Sequence, residues 1–192
     1  MKHALFLAVL GLFSSAALAQ LPPAPIGDPA HPDTVIDFGD PEPVIVETDD
    51  GEIRFSALIA DTDERRQRGL MFRDSLADDE AMLFDYEVVR PASIWMRNTA
   101  ISLDIIFIAE DGHIAKIVAN AQPYSLRSMA SDFPVLGVLE VRGGLTRDAG
   151  IEPGDMVRHA IFENVQDASP ADGTADEEIP TEDAADDTAD EG

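Results

Sequence analysis

Between Val44 and Phe162 the apolar residues come in short runs, each cut off by turn residues before a helix of ordinary length could form. Runs of this length, alternating or continuous in apolar character, read as strands. The candidates are Val44–Glu47, Ile53–Ile59, Ala81–Tyr86, Ile94–Arg97, Asp104–Ala109, His113–Ala119, Val135–Val141 and Met156–Phe162. Two of the breaks, Asp49-Asp50-Gly51 and Glu110-Asp111-Gly112, end in the Asp-Gly pair that supplies the positive φ of a tight hairpin. Many short strands with few helices predict a mainly β fold: a compact antiparallel sandwich or barrel-like domain with one or two short helices.

The first helix is predicted over Thr62 to about Phe72. Asp61 suits the N-cap, Glu64 stands three residues on as in a capping box, and Asp61/Arg65 and Glu64/Arg68 have i,i+4 spacing. The second is a single turn near Leu145–Ala149, closed by Gly150.

Both flanks differ in character from this middle. Residues 1–19 carry a basic start, an apolar stretch from Ala4 to Phe13, and the small-residue sequence Ala17-Leu18-Ala19 before Gln20. That is the pattern of a cleavable signal peptide, and the apolar stretch is too short to span a bilayer. Export to the periplasm or the medium is the expectation, with no membrane insertion after cleavage. Residues 20–43 are rich in proline, glycine and aspartate and read as a linker. Residues 44–163 form the globular domain, and 164–192 read as an acidic disordered tail, without a basic residue from Asp167 onward. The chain has no cysteine, so burial and not disulfides must hold an exported domain together. A formal net charge of −25 repels nucleic acid and anionic membrane surfaces.

The residues exclude the commonest hydrolytic chemistries. No Gly-x-Ser-x-Gly elbow presents a serine, and no thiol exists. Only His113 and His159 fall within the domain, each in or beside a predicted strand. Neither His-x-x-x-His nor a calcium loop occurs, so no metal or cofactor is assigned. No catalytic residue is assigned either.

Two clusters remain. Arg65, Arg66, Arg68, Arg73, Arg90 and Arg97 crowd a short stretch, and arginine's planar fork suits a carboxylate or phosphate. Helical ion pairing accounts for Arg65 and Arg68 but leaves Arg73 and Arg97 unexplained. The second cluster is Trp95-Met96-Arg97-Asn98-Thr99 followed by Asp104. A sole tryptophan beside amide, hydroxyl and guanidinium groups is a common lining for a small polar ligand. The same residues could equally build core and turn, with Asp104 accepting from backbone amides.

This middle region resembles the bacterial and archaeal family known as domain of unknown function 192. The likeness rests on Glu64-Arg65-Arg66-Gln67-Arg68-Gly69-Leu70-Met71-Phe72-Arg73, Ala81-Met82-Leu83-Phe84, Trp95-Met96-Arg97-Asn98-Thr99 and Ser102-Leu103-Asp104-Ile105-Ile106-Phe107-Ile108. Val138-Leu139-Glu140-Val141, Gly144 and Gly150-Ile151-Glu152-Pro153-Gly154-Asp155 complete it. Ala81 stands where the family usually has glycine, and Ala100-Ile101-Ser102 where a proline often precedes the Leu-Asp pair. The resemblance implies a compact β-sandwich-like domain and brings no established reaction.

Two functions are left open, beside a purely structural role in which the domain is a spacer with a solubilising tail. In the preferred one the chain is a non-catalytic binding or accessory domain for a small polar or anionic ligand. Its ligand-binding residues are then Arg68, Arg73, Trp95, Arg97, Asn98, Thr99, Asp104 and Glu140. In the alternative it is a small hydrolase or lyase with Asp104 or Glu140 as general base, which requires a buried carboxylate of raised pKa within reach of a cleft.

Overall fold

The computed structural model describes residues 25–165. Strand β1 (Glu42–Thr48) turns through Asp49-Asp50 into β2 (Gly51–Ala60), pairing Glu42 with Ala57 at one end and Thr48 with Gly51 at the other. Helix α1 (Asp63–Arg68) then carries the chain back to β3 (Glu80–Ile94), which lies parallel to β2. A parallel neighbour needs such a crossover, because a tight turn can only reverse direction. Every other pairing of strands is antiparallel: β4 (Leu103–Ile108) with β5 (Ile114–Ala121), β6 (Met129–Arg142) with both β4 and β3, and β7 (Met156–Arg158) with β1. Helix α2 (Leu145–Asp148) links β6 to β7.

The resulting seven-stranded sheet runs β5-β4-β6-β3-β2-β1-β7 and curls into a half-barrel. Its far edge reaches back to the β4–β5 turn. There Ile114 N donates to Asp155 O, Gly154 N to Ile114 O, and Val157 N to Gly112 O, each at 2.8 Å. The fold is therefore mainly β with two short α-helices, as the short apolar runs predict.

Each face of the sheet has its own apolar core. Val44, Phe55, Leu83, Ile106, Leu139, Val141 and Val157 fill one face, and Met82, Phe84, Ile105, Phe107 and Val138 the other, under Leu70 and Met96. The alternation of strand side chains assigns neighbours to opposite faces. Strand β4, Leu-Asp-Ile-Ile-Phe-Ile, is buried at every position because both of its faces are covered.

Three elements differ from expectation. Helix α1 stops at Arg68, short of Phe72, and its N-cap is Thr62 in place of Asp61: the Thr62 hydroxyl accepts from Arg65 N at 3.2 Å. Gly69, at φ 46°, ends the helix, and a Cβ there would sit 3.1 Å from the Phe84 ring. Ile94 is the last residue of β3, not the first of a separate strand, and Trp95–Arg97 lie beyond it. The run Met156–Phe162 divides at His159, whose ring accepts from Ile161 N at 3.4 Å and opens a 3₁₀ turn, Ala160–Phe162.

The Pro-rich stretch contributes, from Pro25 on, a series of turns laid beside α1. Asp28 accepts from the Gln67 amide at 3.0 Å, and Arg68 donates to the carbonyls of His31 and Thr34. The expected signal peptide, the first part of the linker and nearly all of the acidic tail lie outside the described residues. No described helix is long and apolar enough to cross a membrane.

Candidate functional site

Glu140 follows Leu139 on β6, so it points to the face of Val138 and not to that of Leu139 and Val141. On that face its neighbours across the ladders are Met82 of β3 and Ile105 of β4. The sequence thus drives a carboxyl into an apolar layer, where it is 4% exposed. Among the described residues it has no ion pair or hydrogen bond to its carboxyl. Burial pushes its pKa from 4.5 up to about 8, so the group is mostly neutral at pH 7 and can donate a hydrogen bond.

The carboxyl faces a cavity of about 260 Å³ between α1 and the far half of β3. Leu70, Met71 and Phe84 form apolar walls, and Tyr86, Arg90, Trp95 and Thr99 bring polar or amphipathic groups. Burial, with Glu140 nearby, raises the Tyr86 phenol to about 12, so it keeps its proton. The Arg90 guanidinium lies over the Tyr86 ring, 4.5 Å from its centre, and has no carboxylate partner among the described residues. Half-exposed Trp95 stands at the rim, and the buried Thr99 hydroxyl donates to Arg97 O at 3.2 Å, leaving its lone pairs for another donor.

The other two arginines of the lining are committed elsewhere. Arg66 donates to the carbonyls of Asp61 and Asp85, both at 2.6 Å, and pairs with Asp63 and Glu87. Arg68 turns to the carbonyls of the N-terminal turns and lies 5.1 Å from the Phe72 ring centre; burial lowers its pKa.

Of the sequence-predicted set, Arg68, Trp95, Thr99 and Glu140 meet at the cavity. Arg73, Arg97, Asn98 and Asp104 do not line it. Arg73 is half-buried just beyond α1, and Arg97 stacks on Trp95 at 5.9 Å from the ring centre. Asn98 shapes the backbone: it takes left-handed φ 56°, accepts from Phe72 N at 2.9 Å, and donates to Ala30 O at 3.3 Å. Asparagine tolerates that conformation better than most residues.

Asp104 lies on the opposite face of the sheet from Glu140. Its carboxylate accepts from Asn120 N at 2.7 Å, Gly144 N at 2.9 Å, Thr146 N at 2.9 Å and Thr146 Oγ1 at 2.7 Å. Burial alone would raise its pKa, but these four donors outweigh burial and lower it. A carboxylate so occupied pins the β5 end to the β6–α2 turn and has no lone pair free for a substrate proton.

Tyr86 and Arg90 line the cavity although the sequence did not single them out as site residues. The Phe84/Tyr86 alternation could have placed Tyr86 on the Glu140 face, and Arg90 was one member of the arginine run. No group of three or more His, Asp or Glu side chains suited to a metal ion occurs among the described residues.

Comparison with known proteins places this geometry among proteins without an assigned reaction. The model of the DUF192 family, described as Uncharacterized ACR, matches residues 44–159. No curated protein matches the chain. A crystal structure of a protein of unknown function from Novosphingobium aromaticivorans aligns with TM-score 0.60 and 43% identity, over 61% of this chain and 84% of that one. Another, of a candidate transcription regulator from Sinorhizobium meliloti, aligns with TM-score 0.63 and 36% identity, over 66% of this chain and 98% of that one.

Proposed function

We propose, from the premise that this chain belongs to the DUF192 family, that it is an exported, non-catalytic binding domain for a small polar ligand. The observation that carries this reading is Glu140, a buried carboxyl with no protein partner, facing a cavity. A carboxyl that opens onto a cavity and makes no hydrogen bond to the protein is placed to hydrogen-bond a molecule that enters it. A neutral carboxyl donates one hydrogen bond and accepts others, so the ligand offers both an acceptor and a donor. Arg90, free of acids, suits an anionic or strongly electronegative group on the same ligand. The cavity lies below the range of drug-sized sites, which points to a ligand of few atoms.

The alternative is acid–base catalysis by Glu140, and its pKa near 8 favours that reading in one respect. The binding reading is preferred because no other buried carboxyl lines the cavity to complete an acid–base pair, and Asp104, the other candidate base, is fully occupied. Transcriptional regulation, attached to the Sinorhizobium protein, is not carried to this chain, whose charge of −25 opposes DNA contact.

A library of small polar metabolites, followed by thermal shift and by Trp95 fluorescence, separates the two readings. A ligand of the parent protein should bind Glu140→Gln within a few-fold, because the amide keeps a donor and an acceptor. It should bind Glu140→Leu about 10–100-fold more weakly, the loss of one or two good buried hydrogen bonds. Undiminished binding to Glu140→Leu would refute the pocket. Chemical turnover by the parent, abolished in Glu140→Gln, would establish the enzyme.

A further inference from the structure

We infer that the aromatic and arginine surface beside the cavity is a docking site for the chain's own acidic C-terminal segment, centred on Ile179. Three backbone segments build this surface and are stitched together by hydrogen bonds. Phe72 N donates to Asn98 O at 2.9 Å, Tyr124 N to Thr99 O at 3.0 Å, and Met96 N to Ser125 O at 2.9 Å. Phe72, Asn98 and Tyr124 each hold positive φ, at 63°, 56° and 58°. For Phe and Tyr that conformation is costly, and such strain clusters at ligand clamps and switch regions.

What the three segments present is unusual for so acidic a chain. Trp95, Tyr124 and Leu126 are 52%, 64% and 66% exposed. Arg73, Arg97 and Arg127 belong to the same three segments, and none pairs with a carboxylate among the described residues. Elsewhere Arg54, Arg65, Arg66, Arg142, Arg147 and Arg158 all do. Within 94–99 and 122–129 there is no acidic residue, and Asp74 is the one acid next to Phe72-Arg73. The surface thus combines exposed rings with uncompensated positive charge, the makings of a site for an acidic peptide with an apolar anchor.

Such a peptide follows in the same sequence. Beyond Val165 the only large apolar residue is Ile179, in Glu177-Glu178-Ile179-Pro180-Thr181-Glu182-Asp183. One anchor between two acidic pairs matches rings between arginines. The described chain ends beside the β4–β5 turn, where the Asn164 amide donates to Asp111 O, so the segment must run the length of the strands to reach the surface. Residues 166–179 extend about 3.3–3.6 Å each, which exceeds the roughly 20–27 Å of a strand of six to eight residues. Tethering raises the local concentration of the segment to about the millimolar range, so weak contacts suffice.

Trp95, the sole tryptophan, reports on the occupant directly. Acrylamide quenching of the full-length chain should rise about two-fold or more between 0.05 M and 0.5 M NaCl, as screening releases the segment. The Ile179→Ser variant should already be quenched at the higher level in low salt, and Arg73→Gln/Arg127→Gln, which leaves Arg97 on the Trp95 ring, should behave the same way. The salt response should be unchanged by ten-fold dilution. Quenching that ignores salt in the parent, or an Ile179→Ser variant that responds to salt like the parent, would overturn the inference. A salt response that disappears on dilution would also overturn it, by assigning the surface to a second copy.

Discussion

Asp104 and Glu140 are buried carboxyls on neighbouring strands, one rung apart in the β4–β6 ladder, and their surroundings differ completely. Asp104 meets four donors, three backbone amides and a hydroxyl, and its pKa falls. Glu140 meets apolar side chains and a cavity, and its pKa rises to about 8. Burial by itself therefore does not distinguish an architectural acid from a functional one. The number of donors aimed at the oxygens does.

The largest effect expected from this contrast is at Asp104. Asp104→Asn puts an amide NH₂ among buried N–H groups and leaves some without an acceptor, at a cost of about 3 kcal/mol or more. Chemical denaturation would measure it. A loss below about 1 kcal/mol would mean that the loop ends do not depend on this carboxylate.

Glu140 should behave in the opposite sense, and with pH. Its folded pKa lies above the ordinary 4.5, so its contribution is whole below about pH 4.5 and is lost as pH rises toward and through 8. Glu140→Gln cannot ionise. Relative to the parent, the variant should therefore gain stability between pH 5 and pH 8, on the order of a few kcal/mol. Thermal melts of both proteins across that range check the sign, and parallel pH profiles would contradict it.

The smaller effects separate two residues that look alike as candidates in the sequence. Asn98→Ala strips Ala30 O of its donor and asks alanine to hold φ 56°, which should cost about 1–3 kcal/mol. Arg73→Ala removes no hydrogen bond or ion pair found among the described residues and should stay within about 0.5 kcal/mol. Equal losses at the two positions would erase the distinction.

Much of the architecture was legible from short-range signals. Asp-Gly turns, strand alternation and Gly69 are decided by a residue and its neighbours in sequence, and β1–β2 and the β4–β5 hairpin follow from them. The parallel β2–β3 pair and the return of β7 to the β4–β5 turn were not legible, since pairing between distant segments leaves no local trace. The site divides in the same way. Glu140 was visible as an acid within the apolar run Val138-Leu139-Glu140-Val141, and Trp95 as the sole tryptophan. Which face each carboxyl occupied depended on strand parity, and the donors on Asp104 come from Asn120, Gly144 and Thr146, remote in sequence. In the sequence Asn98 falls within the polar cluster that reads as a pocket. Its carbonyl and amide turned out to join the N-terminal turns, α1's exit and the end of β3.

A ¹³C NMR titration of the side-chain carboxyls tests the contrast most directly, because both groups are read in one folded protein. The Glu140 resonance should titrate with a midpoint near 8 and the Asp104 resonance below the ordinary aspartate value of 3.8. A Glu140 midpoint near 4.5 would mean that the carboxyl is solvated or paired, and the account of a neutral, unpartnered acid facing the cavity would fail.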